Sequence, residues 1–128
     1  MGELTPYLCV ADARSAIDWY VDVLGAEVVL DPIVMDDGRI GHVELAVDGG
    51  RWMMSAEFGS AGVAAPDPSR GAAVSLHLEV TDVDALCERV VAAGGLSSGP
   101  RSRVTPAGRV AVFRDPFGHR WFLNQRLG

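Results

Sequence analysis

The residues whose types and spacing best suit catalysis or metal binding are two histidine–glutamate pairs. His77 and Glu79 stand two apart in VSLHLEVTD, and His42 and Glu44 stand two apart in GRIGHVELAV. Successive side chains of a β-strand point to opposite faces, so residues two apart share a face. A neutral imidazole beside a carboxylate can transfer a proton near physiological pH or orient a ligand. All four are therefore candidate catalytic residues; the plain alternative is that they are polar sheet residues satisfied by neighbours or water.

The same four side chains are also a plausible metal-ligand set, because two imidazoles and two carboxylates suit several divalent ions. The pairs lie on strands in different halves of the chain, and the sequence does not give the distance between them. A metal site built from them stays an open alternative to a site with no metal and no cofactor.

The length and composition indicate which broad class of protein this is. The chain has 128 residues, the size of one domain, with 48% hydrophobic and 22% charged residues, as in soluble globular proteins. No apolar run approaches the roughly 18 residues that a membrane span needs, and no basic-then-apolar signal segment is present. We therefore expect a cytoplasmic protein with no membrane partner.

Charge and cysteine content narrow the partners further. Seventeen acidic against eleven basic residues give a net charge of −6, which repels nucleic acid and favours cationic or neutral ligands. Cys9 and Cys87 form neither a CxxC pair nor a disulfide pattern, so both are expected to be reduced.

The chain contains an internal repeat. LCVAD, starting at Leu8, returns as LEVTD, starting at Leu78, a spacing of 78 − 8 = 70. Asp12 and Asp82 then occupy the position of a helix N-cap, and each is followed by apolar residues at helical spacing. Glycine is expected to end each helix, at Gly25 and at 94–95.

The repeat continues beyond the helices. GRIGHVELAV (38–47) and GRVAVF (108–113) match at a spacing of 70, and RWMM (from 51) matches RWFL (from 120) at 69. Each half thus reads strand, helix and three strands, with the first module at about residues 3–57 and the second at about 73–125. The Gly-, Ala- and Pro-rich segment 58–72 is predicted to connect them. Trp52 and Trp121 occupy matching positions that alternation assigns to the packed face.

This duplication, with YLCVADARSAIDWYVDVLGAEV in the first half and RDPFGHRWFLNQ closing the second, resembles the vicinal oxygen chelate superfamily. That superfamily includes glyoxalase I, bleomycin-resistance proteins and extradiol dioxygenases, and the chain is most similar to its short PhnB-like members. The resemblance implies an α+β fold with two tandem βαβββ modules forming a curved mixed sheet around a cup, in one domain over residues 1–128. It also implies a homodimer.

If the fold holds, alternation nominates the side chains that line the cup and bind a ligand. They are Thr5, Tyr7, Cys9, Ile40, His42, Glu44, Met53, Ser55, Ser75, His77, Glu79, Phe122 and Asn124. The family's metal-ligand positions fall on Thr5, Ser75, Met53 (or Met54) and Phe122, which supply neither imidazole nor carboxylate. The usual metal site is therefore predicted to be absent.

These observations favour a metal-independent protein that binds a small organic molecule, such as an aromatic or cationic antibiotic or metabolite, as the bleomycin-resistance relatives do. Antibiotic resistance is the role that this resemblance implies. The alternative is a glyoxalase-like lyase or isomerase that uses a displaced metal site or acid–base catalysis by His77 with Glu79 or Glu44. A structural or regulatory dimer without a ligand is a third reading.

Overall fold

The computed structural model describes residues 1–97 and 102–127, and the chain divides into two compact units, Met1–Pro66 and Asp67–Gly128. The elements of the first unit are β1 (Tyr7–Cys9), α1 (Ala13–Leu24), β2 (Glu27–Val34), β3 (Ile40–Val47), β4 (Gly50–Ser55) and a short 3-10 helix (Gly59–Ala61). Those of the second are β5 (Ser75–Glu79), α2 (Val83–Ala92), β6 (Leu96–Ser97), β7 (Arg103–Thr105), β8 (Gly108–Arg114) and β9 (Arg120–Gln125). Among the described residues, no helix is long and apolar enough to cross a membrane.

Each unit is built on one mixed sheet. The first has the strand order β1-β4-β3-β2, and the second has the order β5-β9-β8-β6, with β7 also paired to β8. The first and last strands of each unit run parallel, and the remaining pairs are antiparallel. The mixed α+β fold predicted from the repeat is confirmed.

One face of each sheet is packed, with a helix against it. In the first unit Tyr20 of α1 is fully buried and its ring meets the edge of Trp52, with ring centroids 5.3 Å apart. In the second, Phe113 and Trp121 stack with centroids 5.9 Å apart beside the buried Val90 of α2. Both tryptophans are at most 5% exposed, so their predicted place in the core is confirmed. Burying this apolar surface is the main force that holds each helix on its sheet.

Aspartate caps both helices, as the repeat predicts. The Asp12 carboxylate accepts a hydrogen bond from Ser15 N at 3.1 Å, and the Asp82 carboxylate accepts one from Ala85 N at 3.0 Å. The first helix ends at Gly25, whose φ of 70° is the left-handed conformation that glycine adopts without strain. The second ends slightly before the predicted Gly94–Gly95 pair, with Ala93 as its C-cap.

Removing either cap should lower the free energy of unfolding by about 1 kcal/mol, since an N–H of the first helical turn loses its acceptor. We expect this loss for Asp12→Ala and for Asp82→Ala in urea unfolding. Asp18→Ala, on the exposed side of α1, is the matched control and should change stability by less than about 0.5 kcal/mol. Equal losses in all three variants would contradict a capping role.

Among the described residues of the second unit, four strands follow the helix where three were predicted. Two short strands, β6 and β7, both pair with β8 where the first unit has the single strand β2. The predicted apolar face of β5 is also incompletely buried. Val74 precedes the strand and is 70% exposed, while Leu76 and Leu78 are only partly buried.

The predicted spacing of 70 between the third and eighth strands is wrong. In the first unit Met53 pairs with both Tyr7 and Glu44, and in the second Phe122 pairs with both His77 and Val112. The equivalent residues are thus separated by 77 − 7 = 70, by 122 − 53 = 69 and, along β3 and β8, by 112 − 44 = 68. Glu44 therefore corresponds to Val112. The two-residue difference arises between β1 and β3 of the first unit and between β5 and β8 of the second, a stretch in which α1 has 12 residues and α2 has 10.

Candidate functional site

A continuous chain of four hydrogen-bonded side chains lies on the first unit's sheet. Tyr7 Oη lies 2.7 Å from His42 Nδ1, and His42 Nε2 lies 3.0 Å from Glu44 Oε2. Arg51 Nη2 donates to Glu44 Oε1 at 2.6 Å. His42 and Glu44 are largely shielded, with 21% and 14% of their side chains exposed, whereas Tyr7 is half exposed. The chain thus presents a phenol to solvent and keeps an imidazole–carboxylate pair behind it.

The strand register brings these residues together. Met53 on β4 lies opposite Tyr7 on β1 and opposite Glu44 on β3. Residues directly opposite one another in adjacent strands share a face, so three strands contribute to one surface. Alternation along β3 then places His42 on the same surface as Glu44. The predicted grouping of Tyr7, His42, Glu44 and Met53 on one face is therefore what the pairing produces.

Exposed apolar side chains border the polar chain. On the edge strand β2, Leu30 lies opposite Glu44 and Ile33 lies opposite His42. Leu30 is 41% exposed and Ile33 is 52% exposed, and Met53 is partly exposed on the other side. A few polar groups amid exposed apolar surface are typical of sites that bind organic molecules.

The hydrogen bond to the Glu44 carboxylate determines which ring nitrogen of His42 carries a hydrogen. Because Glu44 accepts, His42 Nε2 carries a hydrogen, and a neutral ring then leaves Nδ1 to accept from the Tyr7 hydroxyl. A doubly protonated ring would instead donate from Nδ1 to Tyr7, whose hydroxyl can donate to Gly41 O at 3.1 Å. The hydrogen bond from His42, followed by contacts with Arg51, lowers the pKa of Glu44. Both arrangements leave Tyr7, His42 and Glu44 fully hydrogen-bonded to one another.

The phenol of Tyr7 should lose its proton at a higher pH than an ordinary tyrosine does. Burial, and after it the charge of Glu44, raises the pKa of the Tyr7 phenol above its usual value of 10.0. Because the folded-state pKa is the higher one, the neutral phenol's contribution to stability is complete below the unfolded-state pKa and is lost as pH rises through the folded-state value. Glu44→Gln should lower the pKa of Tyr7 only part of the way, since burial is the larger cause.

Phenolate absorbance measured against pH checks this, with Tyr7→Phe identifying the signal of Tyr7 beside that of Tyr20. Asp22→Asn removes the same charge from an exposed position of α1 and should leave the titration of Tyr7 in place. An unchanged or higher pKa of Tyr7 in Glu44→Gln would contradict the described coupling.

Four of the predicted lining residues are buried rather than open to a ligand. They are Cys9, Ile40, Ser55 and Asn124, each at most 7% exposed. Cys9 Sγ donates to Ala56 O at 3.6 Å, and Ser55 Oγ donates to the same carbonyl at 2.9 Å, so the chain that follows β4 covers both. Thr5 precedes β1 and is partly exposed.

In the second unit the His77 and Glu79 side chains do not hydrogen-bond to each other. The His77 ring stacks on Phe122, with centroids 5.7 Å apart and planes 24° apart. Glu79 accepts from Asn124 Nδ2 at 3.3 and 3.5 Å and lies 3.7 Å from Arg126 Nε. Of the two candidate pairs, only His42 and Glu44 have the geometry of a base held by a carboxylate.

The family's metal positions have other partners in this chain. Ser75 Oγ accepts from Arg120 Nη1 at 2.6 Å, Phe122 stacks on His77, and Met53 borders the polar chain of the first unit. Within 1–97 and 102–127, no group of three or more His, Cys, Asp or Glu side chains is arranged to hold a metal ion. Cys9 and Cys87 do not form a disulfide with each other, and burial raises the pKa of each thiol.

Described residues of the second unit line two notable cavities, which for the most part avoid the predicted lining. The larger, about 730 Å³, is bounded by one side of α2 and by β6 and β8, including Asp84, Cys87 and Arg109. The smaller, about 460 Å³, lies at the ends of β5 and β9, where Glu79 meets Arg126.

Arg51 is a site residue that sequence reasoning did not single out. It ion-pairs with Glu44 and completes the polar chain. A signal was available, because the repeat places an arginine before tryptophan at the start of the last strand in both units, as Arg51 and Arg120. An arginine at the same position of two repeats, on the face shared with Met53 and Phe122, indicates a role on that face.

Comparison with known proteins adds to this geometry. Residues 3–123 match the model of the glyoxalase/bleomycin resistance protein/dioxygenase superfamily. An uncharacterized protein of Mycobacterium bovis is 36% identical over 126 residues, covering 95% of this chain and 82% of its own length.

Two solved structures are similar over the whole chain. TioX from Micromonospora sp. ML1 is 28% identical with a TM-score of 0.71, and the match covers 99% of this chain and all of TioX. TnmS3, an antibiotic binding protein from Streptomyces sp. CB03234, is 29% identical with a TM-score of 0.66, covering 99% of this chain and 98% of TnmS3.

Proposed function

Because the chain belongs to the glyoxalase/bleomycin resistance protein/dioxygenase superfamily, we propose that it is a metal-independent protein that binds a small organic molecule. The molecule is an aromatic or cationic antibiotic or metabolite, and the polar strand faces bind it. The proposal includes the one-domain organisation and the homodimer implied by the family, and the latter can be checked by light scattering.

The observation that carries the proposal is the Tyr7–His42–Glu44–Arg51 chain bordered by exposed apolar side chains. The half-exposed phenol offers a ring face and a hydrogen bond, and Leu30 and Ile33 offer apolar contact area. The net charge of −6 favours the approach of cationic molecules. The likeness to TnmS3, an antibiotic binding protein, supports an antibiotic as the ligand.

Metal independence is supported by the residues at the family's ligand positions. Thr5, Ser75, Met53 and Phe122 offer two hydroxyls, a thioether and an aromatic ring, a poor donor set for the hard divalent ions that oxygen and imidazole ligands hold. Ser75 and Phe122 are moreover engaged by Arg120 and His77.

Acid–base catalysis is the second candidate function, and the hydrogen-bonded Tyr7–His42–Glu44 series favours it. A phenol held 2.7 Å from an imidazole, itself held 3.0 Å from a carboxylate, has the order of groups that activates a proton donor or acceptor. In this alternative His42, rather than His77, is the base of a lyase or isomerase, and Tyr7 contacts the substrate.

A thermal-shift panel of aromatic and cationic antibiotics, bleomycin among them, followed by calorimetric titration of the compounds that stabilise the protein, tests the binding function. We expect at least one compound to bind after exhaustive chelation and Glu44→Gln to weaken its binding about tenfold, the effect of losing one charged hydrogen-bonding group. Asp22→Asn should bind as the wild type does.

Two results would oppose the proposal. Binding that disappears with chelation and returns with a divalent ion contradicts metal independence. Conversion of a bound compound, detected by mass spectrometry and lost in Tyr7→Phe, would favour the catalytic alternative.

A further inference from the structure

The repeated arginine has a carboxylate partner in the first unit, whereas its counterpart has none within the described residues of the second unit. Arg51 of the first unit pairs with Glu44 at 2.6 Å. Its equivalent in the second unit is Arg120, and the residue equivalent to Glu44 is Val112, which cannot neutralise it. The duplication thus retains the cation and replaces its anion with an apolar side chain.

A second arginine stands where the first unit has alanine. Ala46 lies opposite Arg51, whereas Arg114 lies opposite Arg120. Like charges directly opposite each other in neighbouring strands destabilise a sheet. Arg120 is two residues before Phe122 on β9, so the two side chains share a face. Arg114 and Ser75 lie opposite Arg120 on the neighbouring strands and therefore share that face, as does His77, two residues after Ser75.

Within the described residues, the two guanidinium groups donate hydrogen bonds only to neutral acceptors. Arg120 Nη1 donates to Ser75 Oγ at 2.6 Å. Arg114 donates to Gly118 O from Nε and Nη2, at 3.2 and 2.8 Å, and to Arg70 O from Nη1 at 2.6 Å. The charge of Arg114 helps to lower the pKa of the Asp67 carboxyl group. That carboxylate accepts hydrogen bonds from Ser69 and forms no ion pair with either arginine. The remaining N–H groups of Arg120 have no partner in the described chain.

Beside this pair lies an aromatic platform. Phe122 and His77 are stacked, and His77 is exposed. Side chains two apart on a strand start about 7 Å apart, so the acidic substituent of a ring system that lies on the stack can extend toward the arginine side chains. The guanidinium fork matches the geometry of a carboxylate in two parallel hydrogen bonds.

We infer that the second unit's strand face is an anion subsite, in which Arg120 and Arg114 bind the carboxylate of an aromatic acid whose rings lie on the His77–Phe122 stack. This inference rests on the proposed binding function and narrows its ligand from any aromatic molecule to one carrying an acid. The net charge of −6 does not oppose it, because contact with a guanidinium is direct while the distant acids are screened over about 8 Å at physiological salt.

Calorimetric titration with two probes of equal shape tests the subsite: naphthalene-2-carboxylate and naphthalene-2-carboxamide. The wild type should bind the carboxylate at least about tenfold more tightly, the effect of one charge-assisted hydrogen-bonding pair. Arg120→Gln should bring the ratio of the two dissociation constants close to one, with the carboxamide unaffected. Arg120→Lys should keep part of the preference, because it retains the charge but loses the fork.

Arg89→Gln is the matched control. It removes the same charge from the exposed side of α2 and should leave the preference intact. A thermal melt of each variant establishes that it is folded.

Equal binding of the two probes by the wild type, or a preference that survives Arg120→Gln, overturns the inference. If compounds of the antibiotic panel still bind in that case, the proposed function stands and only the acid preference fails. If neither probe nor any panel compound binds, the proposed function fails as well.

Discussion

Gly108→Ala should destabilise the protein by about 3 kcal/mol or more, the largest effect that we expect from a single methyl group. Gly108 begins β8 with a φ of +139°, a conformation that residues with a side chain rarely adopt. A Cβ there would lie 2.4 Å from Gln125 O and 2.7 Å from Asn124 Oδ1. The first of these is a backbone atom of the adjacent strand, so relief requires β8 and β9 to separate.

Urea unfolding of Gly108→Ala beside Gly49→Ala measures this effect. Gly49 lies in the hairpin between β3 and β4, where an added Cβ would meet no atom within 4 Å. The control should change stability by less than about 0.5 kcal/mol. If the two variants lose similar stability, the close approach of Gly108 to β9 is not the cause.

Asp115→Ala should lower the free energy of unfolding by about 2–4 kcal/mol, because it leaves one buried and two partly buried donors without their acceptor. Asp115 is 4% exposed, and its Oδ1 accepts from Phe117 N at 2.9 Å and from His119 N at 3.0 Å. Its Oδ2 accepts from Trp121 Nε1 at 2.9 Å, inside the core. The same turn presents Gly118 O to Arg114, so its loosening should also weaken binding of an acidic ligand.

Asp115→Asn separates packing from acceptor strength. It keeps the shape and one acceptor oxygen, and should lose about half as much stability as Asp115→Ala. A loss below about 0.5 kcal/mol for Asp115→Ala would contradict the role of this carboxylate in closing the turn.

The sequence repeat predicted the parts of the fold that depend on local chemistry. Asp12 and Asp82 cap helices because a short carboxylate satisfies the free N–H groups wherever a strand leads into a helix. Alternation placed His42 with Glu44 on one face because the period of a strand is two. Both inferences need only neighbouring residues.

Features that depend on register could not be predicted in this way. Glu44 corresponds to Val112 rather than to Arg114, and alternation does not reveal this shift of two residues because an even shift leaves every side chain on its predicted face. The partner of Glu44 is likewise set by the hairpin that brings Arg51 back beside β3. The splitting of the predicted strand into β6 and β7 has no counterpart in the first unit from which to infer it.

The most direct test of the central claim is a ¹H–¹⁵N NMR titration of the protein with a compound that the thermal-shift panel identifies. The account predicts that the largest shift changes fall on a polar strand face, at His42, Glu44 and Met53 of the first unit or at His77 and Phe122 of the second. Changes confined to the cavity beside α2, at Asp84 and Cys87, would contradict it.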